Sequence, residues 1–136
     1  MIGLVIVAHG GLARQLLAAT EHVVGPLERA RCVAVAPADD LFDRQREVDE
    51  AVAEVDSGAG VVVVTDMFGG TPSNLAMGAM TGAQVEVIYG ANLPLLVKLA
   101  KCRGMPLAQA VACALEAGRK YIDSAGGIIA ARAKRA

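Results

Sequence analysis

The side chains best placed to do chemistry are His9 and Asp66, because each stands directly after an apolar run. His9 closes Ile2-Gly3-Leu4-Val5-Ile6-Val7-Ala8 and is followed by Gly10 and Gly11. Asp66 follows Val61-Val62-Val63-Val64-Thr65 and opens Met67-Phe68-Gly69-Gly70-Thr71-Pro72-Ser73-Asn74. An imidazole hydrogen-bonded to a carboxylate has its tautomer fixed and its other nitrogen made more basic. Such a nitrogen can act as a general base, bind a metal or attack phosphorus. Metal binding is the weakest option, since His22 is the only other histidine and falls late in a helical pattern. A general base needs a nucleophile beside it. Ser73 and Thr71 are candidates, but neither sits in a G-x-S-x-G elbow. The surroundings favour the nucleophile: glycine-flanked backbone N–H groups, hydroxyls at Thr65, Thr71 and Ser73, and a helix start together form a cradle for an anion. A structural histidine with a satisfied ring is the competing reading.

Those residues need elements to hold them. Four consecutive valines are too many for a strand with one wet face and predict a strand buried on both sides. Strands are expected over residues 2–8, 31–36, 61–65 and 84–89. Helices are expected over 12–24, 41–55, 72–80, 93–101 and 106–124, each bounded by Gly, Pro or Asp. Asp39 or Asp40 is expected to cap the second helix. Thr71 is expected to cap the third, with Pro72 as its first residue and Thr81-Gly82 as its end. The last of these helices should bury Leu107, Ala110, Val111, Ala114, Leu115, Gly118 and Tyr121 or Ile122. Gly126-Gly127-Ile128-Ile129-Ala130 is a short, apolar, β-prone tail. Strict β/α alternation with short connections predicts an open, mainly parallel α/β sheet with helices on both faces. The segments after the strands (His9-Gly10-Gly11, 66–74 and 90–94) then share one edge. If the first and third strands are neighbours, in the order 2-1-3-4, His9 and Asp66 stand side by side at the switch point.

Composition narrows the function classes. At 136 residues the chain is read as one domain over 1–131 with a basic tail over 132–136. Hydrophobic residues make up 54%, yet no apolar run approaches the roughly 18 residues of a membrane span. The N-terminal run lacks a basic lead and reads as a strand, so a cytoplasmic location is expected. The formal net charge of −1 disfavours nucleic acid. Cys32, Cys102 and Cys113 form no C-x-x-C pair and read as inert thiols, neither a disulfide framework nor a zinc site.

Three segments, taken in order, carry a resemblance: residues 2–10 ending in His-Gly, Thr65 to Asn74, and Gly90-Ala91-Asn92-Leu93-Pro94-Leu95. Together they resemble the IIA domains of the mannose family of the bacterial phosphoenolpyruvate:sugar phosphotransferase system (PTS), over essentially the whole chain. The Asp-x-x-Gly-Gly-x-Pro block is the specific part. The resemblance implies a cytosolic homodimer that takes phosphate from the phosphocarrier protein HPr and passes it to a IIB protein, with no cofactor, no metal and no direct membrane insertion. Carried over by position, His9 is the phosphorylated residue and Asp66 the carboxylate that orients it. Gly10, Thr65, Phe68, Gly69, Gly70, Thr71 and Ser73 would shape the phosphoryl site. It further implies a C-terminal antiparallel strand exchanged across the dimer, which residues 127–131 would supply, covering a bare sheet edge.

Since the sequence stops at Ala136, a free-standing IIA is expected, with its acceptor on another chain and a transport or a regulatory role. Two alternatives remain: a regulatory module whose grip on a partner depends on phosphorylation of His9, and the phosphocarrier subunit of dihydroxyacetone kinase. A flavodoxin-like nucleotide binder is disfavoured, because no G-x-G-x-x-G or P-loop is present and only two Tyr and two Phe are available for stacking.

Overall fold

The structure, a computed structural model, describes residues 1–81 and 84–135. The chain alternates strand and helix: β1 (Gly3–His9), α1 (Leu12–Val24), β2 (Ala30–Val35), α2 (Leu41–Val55), β3 (Val61–Thr65), α3 (Thr71–Gly78), β4 (Val85–Ile88), α4 (Leu93–Lys101), α5 (Leu107–Lys120) and α6 (Ala125–Arg135). The four strands form one parallel sheet in the order β2-β1-β3-β4. This is the expected α/β architecture and strand order.

Side-chain alternation along β1 divides the core into two layers. Val5 and Val7 face α2 and α3, packing with Val48, Ala51, Val55, Leu75 and Ala76. Leu4, Ile6 and Ala8 face the other way, against Leu95, Leu96 and Leu99 of α4 and Ala110 and Ala114 of α5. Both faces are covered, which is why β1 and β3 read as continuous apolar runs. All five residues of β3 are buried.

Local chemistry sets the helix ends. Asp40 is the α2 cap, accepting from the N–H groups of Phe42 and Asp43, while Asp39 accepts from Ala36 N–H. The third helix corrects the expectation at both ends. Gly70 is its cap residue, so Thr71 is already helical and Pro72 lies inside the first turn. It stops at Gly78, short of Met80, and Gly82, the expected end, lies outside the described residues. Beside Gly78 the Gln45 amide of α2 reaches across to α3, donating to the Leu75 carbonyl at 3.0 Å. Tyr121 and Ile122 lie beyond α5 and are exposed, so neither belongs to its inner stripe.

The largest departure is C-terminal. Residues 127–131, expected as an antiparallel strand, are part of α6, which runs through the expected boundary at 132 and buries none of its residues. A lone strand leaves its backbone groups unpaired, whereas a helix pairs them within one segment, and within a single chain no strand edge is paired with this one. β4 accordingly stays an edge strand.

Candidate functional site

β1 and β3 are neighbours in parallel register, with Val7 opposite Thr65, so the residues that follow emerge together at the C-terminal rim. There the structure brings together two residues 57 positions apart. Asp66 Oδ2 accepts from the His9 backbone N–H at 3.1 Å and contacts His9 Nδ1 at 2.7 Å. An ionised carboxylate can only accept, so for a neutral ring this pattern assigns the proton to Nδ1 and leaves the lone pair on Nε2. Burial disfavours the Asp66 charge, but the hydrogen bonds from the His9 ring and backbone, with the charge of His9, outweigh it and hold the carboxyl below its usual range. The His9 side chain is 53% exposed and that of Asp66 only 11%, so the carboxylate is sheltered while the ring stays open to an approaching group. The other oxygen, Oδ1, is buried and takes no hydrogen bond among the described residues.

The glycine turn faces the free nitrogen. Gly69 and Gly70 have φ of 87° and 85°, a region that side chains disfavour. A Cβ built on Gly70 would meet one atom within 4 Å, His9 Nε2 at 3.9 Å. Gly70 caps α3 without any side-chain hydrogen bond. The first N–H groups of a helix have no carbonyl one turn back, so they remain available to an anion beside Nε2.

The other expected site residues divide. The Gly10 N–H bonds the Val35 carbonyl at 2.9 Å, extending the sheet ladder, and its φ of 55° turns the chain. The buried Thr65 hydroxyl donates to the Met67 carbonyl at 3.3 Å, bracing the loop around Asp66. Ser73 is buried and Thr71 half-buried at the start of α3. Phe68 is 77% exposed and stacks edge-on against Tyr89, with ring centroids 5.0 Å apart. Tyr89 was not singled out from the sequence. It follows β4, and only strand order reveals it as a platform for the β3–α3 loop. The third expected loop braces this rim and does not line the site: Ala91 N–H bonds the Thr65 carbonyl, and Asn92 caps α4 while donating to the Gly118 carbonyl of α5. His22 is exposed in the last turn of α1, away from the pair by sheet direction.

The chain as a whole has relatives among known proteins. A family model described as the PTS system fructose IIA component, of the EIIA-man type, matches residues 3–116. The PTS system mannose-specific EIIAB component of Escherichia coli is 31% identical over 126 residues, covering 90% of this chain and 39% of the relative. The chain thus spans well under half the length of the curated relatives it first matches. A mannose/sorbose-specific IIA subunit of the phosphotransferase system from Enterococcus faecalis superposes with a TM-score of 0.81 at 28% identity, covering 90% of this chain and 93% of that one. The phosphotransferase system component EIIA from Streptococcus agalactiae, at 24% identity and a TM-score of 0.81 over 91% of this chain and 97% of that one, shares the fold. With the match running from the first strand through most of α5, the chain belongs to the mannose-type family of PTS IIA components.

Proposed function

We propose that this PTS IIA component is a phosphoryl carrier that accepts phosphate from phospho-HPr on Nε2 of His9 and passes it to a IIB component, for sugar uptake or its regulation. PTS IIA components are phosphotransferases, and the observation that carries the assignment to His9 is its contact with Asp66 at 2.7 Å through Nδ1, with Nε2 turned to the Gly70 backbone. In the forward step the Nε2 lone pair attacks phosphorus in line. The donor's nitrogen–phosphorus bond breaks and its electron pair returns to the donor imidazole. The new phosphohistidine ring keeps its proton on Nδ1, donated in a hydrogen bond to Asp66, whose negative charge offsets the cationic ring. Transfer to the acceptor reverses these steps. Positioning and anion stabilisation contribute most of the catalysis in phosphoryl transfer, and backbone N–H groups at Gly69, Gly70 and the α3 start are the donors available for it. Thr65, through Met67, and Phe68, through Tyr89, act by holding that loop. Thr71 and Ser73 contribute at the helix start, and Gly10 acts through its turn.

The same reading places the protein in the cytoplasm beside its donor and makes it a homodimer in which residues 127–131 leave the helix and add a strand to the partner's sheet. The exposed Ile128 and Ile129 and the open edge of β4 support that exchange. Light scattering on the full chain and on a form ending at Gly126 checks it: a dimer that becomes a monomer is expected, and equal monomeric masses would remove it.

The decisive test of the carrier is acid-labile labelling from phosphoenolpyruvate, enzyme I and HPr. Wild type should label and His9→Ala should not. Label retained in His9→Ala would overturn the assignment.

A further inference from the structure

The sheet face opposite α2 carries a groove that the phosphoryl site does not use. It lies between α4, α5 and the end of α1 and encloses about 560 Å³. Val23, Pro94, Val97 and Ala117 form its apolar floor. Lys98, Lys101 and Lys120 line it as well. The chain has four lysines in all, so three of them converge on this one feature. Among the described residues none of the three makes an ion pair, whereas Asp43, Glu47 and Glu54 of α2 pair with Arg46, Arg44 and Arg31. Lys120 Nζ lies 5.4 Å from the centre of the Tyr121 ring, at one end of the groove, where the ring is exposed. Among the described residues, Glu116 is the only acidic one lining it. The walls are fixed relative to each other: Asn92 caps α4 with its oxygen and bonds the Gly118 carbonyl of α5 with its nitrogen. A groove of this kind is formed before any ligand arrives.

We infer that this groove is a docking site for an amphipathic segment of a partner protein, with apolar side chains set on the floor and carboxylates paired to Lys98, Lys101 and Lys120. Charge complementarity selects the occupant. A second copy of this chain fits poorly by either of its exposed helices. α6 offers Ile128 and Ile129, but its last turn carries Arg132, Lys134 and Arg135, which would face the lysines. α2 is acidic, with Asp43, Glu47, Asp49, Glu50 and Glu54, but Val48, Ala51, Val52 and Val55 are buried against the sheet, and its exposed Leu41 and Phe42 are adjacent in the first turn, which gives no stripe at i, i+3 and i+4 to lay along a groove. The inference is independent of the phosphoryl site, since His9 and Asp66 play no part in it.

The test is a titration of the full-length, isotope-labelled protein with a synthetic peptide of about four helical turns, leucine at i, i+3, i+4 and i+7 and glutamate at the flanking positions. Amide shifts confined to residues 93–101 and 113–121 are expected. Binding should weaken by about tenfold or more in the Lys98→Glu, Lys101→Glu, Lys120→Glu triple variant, and by less in the corresponding glutamine variant, which retains the fold most safely. Raising the salt concentration should weaken it too. Absence of shifts, shifts centred on α2 or on the His9 rim, unchanged affinity in the triple variant, or equal binding of a peptide with the same composition but no periodicity would each overturn the inference. So would groove shifts on simple dilution of the free protein, which would show a second copy to be the occupant.

Discussion

The two rims of the sheet treat their polar groups in opposite ways. Where β1 and β2 begin, Arg103 is 4% exposed and its guanidinium donates to three carbonyls, those of Ile2, Glu28 and Arg29, at 2.6 to 2.9 Å. Burial pushes its pKa down, a cost the nearby Glu28 charge only partly offsets. Where β1 and β3 end, the His9 ring is open, one Asp66 oxygen has no partner among the described residues, no side-chain cap among them serves α3, and two consecutive glycines hold left-handed backbone. One rim saturates its hydrogen bonds and closes. The other leaves backbone donors open beside the His9 ring, at glycines that adopt left-handed backbone without a side-chain penalty. The difference sets a rim that holds the fold together against one left open to solvent.

Substitutions can break that contrast from either side. The largest effect is expected at the open rim. Asp66→Asn preserves shape but puts an amide where the acceptor was, which favours the wrong tautomer, so transfer from phospho-HPr should slow by about 100-fold or more with little change in melting temperature. A rate equal to wild type would remove Asp66 from the mechanism. At the closed rim, Arg103→Met leaves buried carbonyls unpaired and should cost about 2–4 kcal/mol in urea unfolding. Transfer by the folded protein should be unchanged. If transfer also falls, the two rims are coupled and the contrast fails.

A smaller effect sharpens the comparison within the open rim. Gly70→Ala forces a side chain into φ 85°, ψ 179° and sets a Cβ 3.9 Å from Nε2. About 1–3 kcal/mol of destabilisation and slower labelling are expected. Gly11→Ala, at φ −81° with open space around it, should stay within about 0.5 kcal/mol of wild type. Equal behaviour of the two variants would show that the glycine turn is not under conformational demand.

The smallest expected effect is on acid stability. Because the folded Asp66 carboxyl is depressed, its contribution is fully present above the unfolded value of about 3.9 and is lost as pH falls through the lower folded value. The acid limb of the melting curve should therefore be shallower in Asp66→Asn than in wild type below about pH 4. Superimposable acid limbs would mean that the contact with His9 adds no stability.

Much of the scaffold was legible in the sequence. The ends of α1 and α2 fall where Gly25-Pro26, Asp40 and Asp56 to Gly58 punctuate the chain, because capping and turn chemistry act over a few residues. The start of α3 was misplaced by one residue, since Thr71-Pro72 imitates a cap while the positive φ of Gly70 allows the helix to begin earlier. The Gly126 to Ala130 segment reads as strand by composition, but a strand needs a partner edge, and the single chain pairs none with it. Arg103 went unnoticed because its acceptors lie 74 to 101 positions away, beyond any local pattern.

The sequence by itself determined the buried strands, the helix faces and which side chains are candidates for the site, since periodicity and side-chain chemistry are local properties. Only the tertiary structure decided that β1 lies beside β3, that Gly70 backs onto Nε2, and that three scattered lysines share one groove. Those outcomes follow from how right-handed crossovers order the strands and stack the helices, and that order is settled by packing the whole core at once.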